Sequence, residues 1–362
     1  MDLRRTRINL AALAIILVCI GIVMIYSASA IYAFENLGDS AYYLKRHIVY
    51  VLIGLFFSFL TMSVDHQKLK AMSKPLVLAS FVLLILLLIP GIGREVGGAR
   101  RWFRFGFLSF QPSELAKFAM VVYSADFLSR KKTEITSFLR GFVPVLSVLG
   151  VLCLLILVQP DLGTVLAMVT ICFIMFFIAG VKITYMISMF LAALPGVYLL
   201  IFNVPYRRDR ILAFLDPWSD PLGIGFQIIQ SLVALGSGGL FGVGLGQGKQ
   251  KFLYLPAAYT DFIFSIIGEE LGFIGTAAIV ILLALFLIQA TKISLKAKDS
   301  FGRLLAFGLV SCLLVEAIVN MGVVTSILPT KGLPFPFISY GGTSLVFNMM
   351  YVGLILNIGK NQ

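Results

Sequence analysis

Histidine, cysteine and tryptophan are scarce in this chain, with two, four and two copies among 362 residues, and charged residues make up only 13% of it. Each shortage removes a class of chemistry. His47 and His66 stand at opposite ends of one apolar run, so the residues offer no histidine-based metal site. Cys19, Cys153, Cys172 and Cys312 all lie inside apolar runs, where they act as small hydrophobes and imply no disulfide framework. No window reads GxGxxG. In GSGGLFGVGLGQGKQ (236–250), Val243 stands where a P-loop needs its first glycine, and Gln250 follows Gly248 and Lys249. These glycines read instead as tight reversals and close backbone approach.

What is abundant is hydrophobic sequence, 59% of the chain, which an ordinary soluble domain does not contain. Apolar runs long enough to cross about 30 Å of hydrocarbon as helices of about 20 residues lie near 9–30, 48–64, 75–90, 111–129, 141–158, 161–180, 183–202, 261–290, 302–327 and 338–358. The chain therefore reads as one all-α polytopic membrane domain over 1–362. About ten transmembrane helices are expected, with both termini on one side and a large extracytoplasmic loop, 203–260, between helices 7 and 8. Arg4, Arg5 and Arg7 before a run ending in YSASA mimic a signal peptide, but the apolar core is too long for one, and a retained helix starting in the cytoplasm is expected.

Lys68, Lys70 and Lys74, then Arg130, Lys131, Lys132 and Arg140, then Lys292, Lys296, Lys298 and Arg303, fall in loops assigned to the cytoplasm, as the positive-inside rule requires. Two loops on the other side break the rule. GIGREVGGARRWFRFG (91–106) holds Arg94, Arg100, Arg101 and Arg104, and the long loop holds Arg207, Arg208, Arg210, Lys249 and Lys251. Cations on the translocated side point to an anionic partner, either a phosphate-bearing substrate or lipid headgroups. No nucleic-acid partner is expected.

Within LPAAYTDFIFSIIGEELG, Asp261 opens an apolar helix, where it is either an N-cap or a carboxylate held at a dry rim and suited to general-base work. Glu269 and Glu270 fall roughly 12 Å deeper on that helix at 1.5 Å per residue. Lys117, Glu316 and Asn320 are their expected partners, while Glu114 and Lys117, three apart, could equally pair with each other. In QPDLG (159–163), Pro160 and Asp161 read as the start of a helix, and FQIIQSLVALG (226–236) reads as a short re-entrant or interfacial helix. LPTKGLPFPFISYGGTS (328–344) places three prolines, Pro329, Pro334 and Pro336, within eight residues around Lys331 and cannot be regular helix. It is expected to line the cavity that Asp261 overlooks, with Ser339, Tyr340 and Thr343 supplying hydrogen bonds there.

ARRWFRFGFLSFQPSELAK, QPDLG, RRDRILAFLDPWSDPLGIGFQIIQS, YTDFIFSIIGEELGFIG and PTKGLPFPFISYGGTS together resemble the SEDS family of polytopic peptidoglycan polymerases, in family order over nearly the whole chain. LDPWSDP and GLGQGKQKFLYLP look more like its division-type FtsW and sporulation-type SpoVE branch than the elongation-type RodA branch.

The resemblance implies a glycosyltransferase that lengthens glycan strands from lipid II at the outer face of the bacterial cytoplasmic membrane, releasing undecaprenyl diphosphate. The family's catalytic aspartate falls on Asp261, its functional lysine on Lys331 and its loop arginine on Arg101, while Glu114 and Lys117 match positions the family also uses. Arg210 and Ser339 complete the expected substrate-binding set. Members commonly carry an acidic residue and a histidine just before the Thr-Asp pair, whereas this chain has Ala257 and Tyr259. No protein metal ligands are expected; a divalent cation, Mg or Mn, is left open as an aid in holding phosphates. The implied partners are a class B penicillin-binding protein, whose contact is expected through span eight or nine, and other division or sporulation membrane proteins. A lipid II flippase and a non-catalytic division scaffold are the competing function classes.

Overall fold

Each apolar run expected to cross the membrane is helical in the structure, a computed structural model describing residues 3–96, 98–131, 134–135, 137–252 and 254–360. Lys132 lies outside the described residues, and only the backbone of Arg94 is described. The helices are α1 (Leu3–Leu37), α2 (Tyr42–Ser63), α3 (Lys68–Leu88), α4 (Pro112–Arg130), α5 (Val143–Val158), α6 (Leu162–Ala179) and α7 (Ile183–Phe202). There follow α8 (Pro205–Leu215), α9 (Phe226–Gly238), α10 (Ile263–Lys296), α11 (Ser300–Val324) and α12 (Thr343–Ile358). Among the described residues, eight helices are long and apolar enough to cross a membrane, with α5 counted together with the π-helical turn Phe138–Phe142 that precedes it. The other two expected spans are α4 and α12. α4 carries Glu114, Lys117, Asp126 and Arg130, and α12 has only 16 residues. Both are enclosed by other helices, so neither has to meet lipid on all sides, and the irregular chain before α12 supplies the depth its length lacks.

α4 packs against α3, α6 and α11, while α12 lies along α2. The α2–α12 approach depends on small residues, since a Cβ at Gly353 would collide with Ser58 O and one at Gly54 with the Met349 side chain. α1 docks on α10 and α2, integrated into the bundle. α7 stands apart from this packing, because none of its residues is buried.

The Arg-rich segment after α3 is not a simple loop. It forms a three-stranded antiparallel sheet, β1 (Arg94–Val96), β2 (Ala99–Phe105) and β3 (Leu108–Phe110), in the order β1-β2-β3. Arg104 faces Ser109 and Phe105 faces Leu108 across the turn at Gly106. The alternation along β2 buries Ala99 and Phe103, and the strand carries Arg101 to the head of α6.

The long segment 203–260 contains α8 and α9, and its glycines let backbone meet backbone. α10 is interrupted at Gly272, whose φ of 68° and ψ of −167° break the helix. The loop repairs the break: Val243 N donates to Glu269 O at 3.0 Å and Gly244 N to Glu270 O at 3.1 Å, while Phe273 N and Ile274 N donate to Gly239 O and Leu240 O.

The partners expected for Glu269 and Glu270 are corrected here. Glu269 accepts from Lys249 N at 2.6 Å and from Gln250 N, and Glu270 pairs with Lys251 Nζ at 2.5 Å and accepts from Ser27 Oγ. Both carboxylates clamp the Gly-rich loop, because helical spacing sets a face but does not say which loop will fold over it. Lys117 is occupied elsewhere, between Glu114 at 3.0 Å and Glu316.

Removing one member of a buried ion pair strands the other charge, at about 3–5 kcal/mol. Glu270→Ala is therefore expected to lower thermal stability in detergent by that amount, whereas Lys249→Ala, at an exposed side chain whose backbone bond survives, changes it by less than about 0.5 kcal/mol. Equal melting temperatures for the two variants would remove the clamp from this account.

Candidate active site

Asp261 does not cap α10. The helix starts at Ile263, its N-cap position is Phe262, and among the described residues there is no side-chain cap bond. Thr260 does not cap it either, since its hydroxyl donates to Ala257 O. The Asp261 carboxylate is thus free of the structural duty that its position suggested. Its backbone carbonyl accepts from Asn320 Nδ2 at 2.8 Å, and the same amide group donates to Leu333 O at 2.8 Å. Gly332 lies so near that a Cβ there would stand 2.6 Å from Asp261 Oδ2. α11 holds the backbone of Asp261 in place, and the proline-rich loop packs against its carboxylate.

Asp261 opens onto a cavity of about 300 Å³. Arg101 from β2, Arg207 and Arg210 from α8, and Lys331 from the proline-rich loop line it, facing Asp161 and Asp261. The arginines are braced by backbone carbonyls. Arg101 donates to Gln159 O at 2.9 Å and to Pro160 O, Arg207 to Leu200 O at 2.9 Å, and Arg210 to Thr330 O at 3.0 Å. Arg210 also lies 4.4 Å from the Tyr206 ring centroid, a cation–π distance. Among the described residues, Lys331 Nζ has no hydrogen-bond or ion-pair partner, so its charge is available to a ligand. Asp161 caps α6 as expected, accepting from Thr164 N at 3.2 Å and from Thr164 Oγ1 at 2.8 Å. The donor set, four cations against two carboxylates, suits a polyanionic ligand.

Four of the seven residues singled out from the sequence, Asp261, Arg101, Arg210 and Lys331, meet at this cavity. The other three do not line it. Glu114 and Lys117 are buried between α4 and α11 with Glu316, whose other oxygen accepts from Asn348. Ser339 is buried, and its hydroxyl donates to Thr260 O at 2.6 Å and accepts from Phe335 N at 2.8 Å. It straps the proline-rich loop to the segment before α10. Thr343 likewise bonds Ser109 O and Gln111 N, and Tyr340 N bonds Tyr259 O, so these groups hold the wall and do not point into the cavity. Lys251, counted among the outward cations, is paired inside with Glu270. Sequence reasoning passed over Asp161 and Arg207 as cavity residues. Capping accounted for the first, and nothing in the spacing separated the second from Arg208.

Burial raises the Asp261 carboxyl to about 6 even though Arg210 and Arg101 pull it back. Burial lowers the Lys331 ammonium to about 8, helped by Arg210 and Arg207 and opposed by Asp161. Near neutral pH the cavity therefore combines an ionised but basic carboxylate with a charged lysine.

The family model described as a cell cycle protein, spanning FtsW, RodA and SpoVE, matches residues 7–362. The chain is 48% identical over 350 residues to a protein of Geobacter sp. (strain M18) named as a probable peptidoglycan glycosyltransferase FtsW, covering 97% of this chain and 95% of that one. It is 46% identical over 351 residues to the stage V sporulation protein E of Bacillus subtilis (strain 168), covering 97% and 96%. Among solved structures, it resembles a chain from a peptidoglycan synthase complex that coordinates polymerization and crosslinking, with a TM-score of 0.80, 32% identity and 97% coverage of each chain. The rod shape determining protein RodA of Thermus thermophilus superposes with a TM-score of 0.68 at 28% identity, covering 97% and 96%.

Turnover at this cavity is expected to follow a bell-shaped pH profile. It rises through about pH 6 as Asp261 loses its proton and falls above about pH 8 as Lys331 loses its charge. Lys331→Arg, which stays charged, should abolish the alkaline fall and leave the acid limb in place; a profile unchanged by that substitution assigns the alkaline limb to another group.

Proposed function

The chain belongs to the FtsW/RodA/SpoVE family of cell cycle proteins and is a multi-pass membrane peptidoglycan glycosyltransferase, and from that premise we propose how its cavity joins lipid-linked sugars. The substrate is lipid II, polymerised into glycan strands in division or sporulation. Asp261 accepts the proton of the acceptor 4-hydroxyl as that oxygen attacks the anomeric carbon of the donor. The bond from that carbon to the diphosphate breaks on the opposite face, inverting the centre and releasing undecaprenyl diphosphate. The nearest analogy is an inverting glycosidase, with diphosphate departure replacing the general acid. Arg101, Arg210 and Lys331 hold the leaving diphosphate by charge-assisted bonds, joined by Arg207 on the same wall. The observation that carries this reading is a carboxylate relieved of capping, raised to about 6, at a cavity lined by four cations.

The cations of the cytoplasmic loops and those of the cavity lie at opposite ends of the spans, which supports cytoplasmic termini and an active site on the outer face of the bacterial cytoplasmic membrane. A class B penicillin-binding protein is the proposed partner. An apolar groove of about 860 Å³ runs between α9, α10 and α11, and Phe273, Ile318 and Ile327 along it are 66%, 51% and 70% exposed. A single membrane-spanning helix of the partner fits such a groove, in keeping with contact through α10 and α11.

Purified protein with its penicillin-binding protein is expected to convert fluorescent lipid II into long glycan, and Asp261→Asn to slow this about 10²–10⁴-fold. Polymer made at the normal rate by a folded Asp261→Asn protein ends the proposal for that residue, and lipid II movement across vesicles without polymer supports a flippase. Ala277→Trp, which fills the groove, should weaken co-purification of the partner at least about tenfold by adding bulk at a packed helix contact; undiminished co-purification places the partner elsewhere.

A further inference from the structure

A second cavity, of about 270 Å³, lies on the α1 side of the segment that carries Asp261. Tyr32, Lys251, Pro256, Ala257 and Tyr259 line it. Tyr259 is the centre of an aromatic cluster. Its ring centroid lies 4.4 Å from that of Tyr43, 5.7 Å from that of Tyr32 and 5.9 Å from that of Tyr340. Its carbonyl accepts from Tyr340 N at 3.0 Å, so ring and backbone are both held. Lys251 is only 4% exposed, and its Nζ bonds Glu270 Oε1 at 2.5 Å and Ser27 Oγ at 3.1 Å. An ammonium has three N–H donors, so among the described residues one of them has no partner, on a side chain that lines the cavity.

The two cavities differ in chemistry. The first sets four cations against two carboxylates and fits a diphosphate. The second presents aromatic rings and one buried donor whose charge is already balanced by Glu270, which fits a neutral ring rich in hydroxyl and amide groups better than it fits a phosphate. Residues 257–261 border both cavities, with Ala257 and Tyr259 lining the second and Asp261 lining the first. A glycosyl transfer needs two sugars that meet at the base, and only one of them loses a diphosphate there.

We propose that Tyr259, Tyr32 and Lys251 form a subsite for the saccharide ring that bears the attacking hydroxyl. Tyr259 stacks on a face of that sugar, and the free N–H of Lys251 donates to one of its oxygens. This rests on the glycosyl-transfer reading above and adds where the acceptor sugar sits. Small Ala257 lines the subsite without filling it, and the aromatic residue at 259 makes sugar binding here depend on ring stacking.

The test measures binding and turnover separately. In full-length Asp261→Asn protein, fluorescent lipid II should bind about tenfold more weakly once Tyr259→Leu is added, and within about twofold of the parent once Tyr259→Phe, which keeps the ring, is added instead. In the active complex, Tyr259→Leu should raise KM about tenfold with a far smaller change in kcat, and Tyr32→Leu should raise KM in the same direction. Equal lipid II affinity with and without the ring overturns the subsite, as does a loss shared equally by Leu and Phe. A wild-type protein that binds lipid II in a ring-dependent way but never extends it keeps a sugar-binding site at Tyr259 and overturns the glycosyl-transfer reading together with the acceptor assignment.

Discussion

One amide group holds the two halves of the reaction site together. Asn320 sits buried on α11, and its side-chain NH₂ donates to the carbonyls of Asp261 and Leu333, two segments of irregular chain that enter from different spans. Inside a bilayer no water replaces a missing donor, so non-helical backbone at that depth persists only where protein satisfies it. Ser339 adds a bond to Thr260 O, and Tyr340 N adds one to Tyr259 O. The carboxylate of Asp261 is thereby presented from a rigid wall while making no structural bond of its own. In the proposed reaction, a base placed this way needs little rearrangement when the acceptor arrives.

The charged residues sort by the same logic. Lys117 between Glu114 and Glu316, and Lys251 against Glu270, are enclosed pairs whose members satisfy one another and join helix to helix or helix to loop. Arg101, Arg207, Arg210 and Lys331 are different. Among the described residues they form no ion pair and bond only neutral carbonyls, which leaves a net positive charge, four cations against two carboxylates, at one cavity. Fixed cations in excess around a small volume are what a departing diphosphate requires.

Much of this was legible in the linear chain, for definite reasons. Apolar runs of about 20 residues specify spans whatever their neighbours, so each expected segment coincides with a helix. Three prolines and two adjacent glycines forbid helix across 328–342, and the proline-rich loop does border the Asp261 cavity. The sheet at 94–110 was missed because its alternation of arginine and aromatic residues also describes a basic loop. The break at Gly272 was missed because a glycine within an apolar helix usually continues it, and here the strain is absorbed by backbone bonds from residues thirty positions earlier.

Taken alone, the sequence determined the class, the spans, the excess of cations on two loops at the same end of the spans and the identity of the acidic residue at the rim, because these follow from local composition and order. Tertiary structure alone decided which charges are framework and which are free. Whether Asp261 caps a helix, whether Glu270 meets Lys117 or Lys251, and whether Lys331 has a partner depend on which distant segment folds across each side chain. A side chain's type and spacing set what it can bond; the packing of remote segments sets what lies within about 3 Å of it.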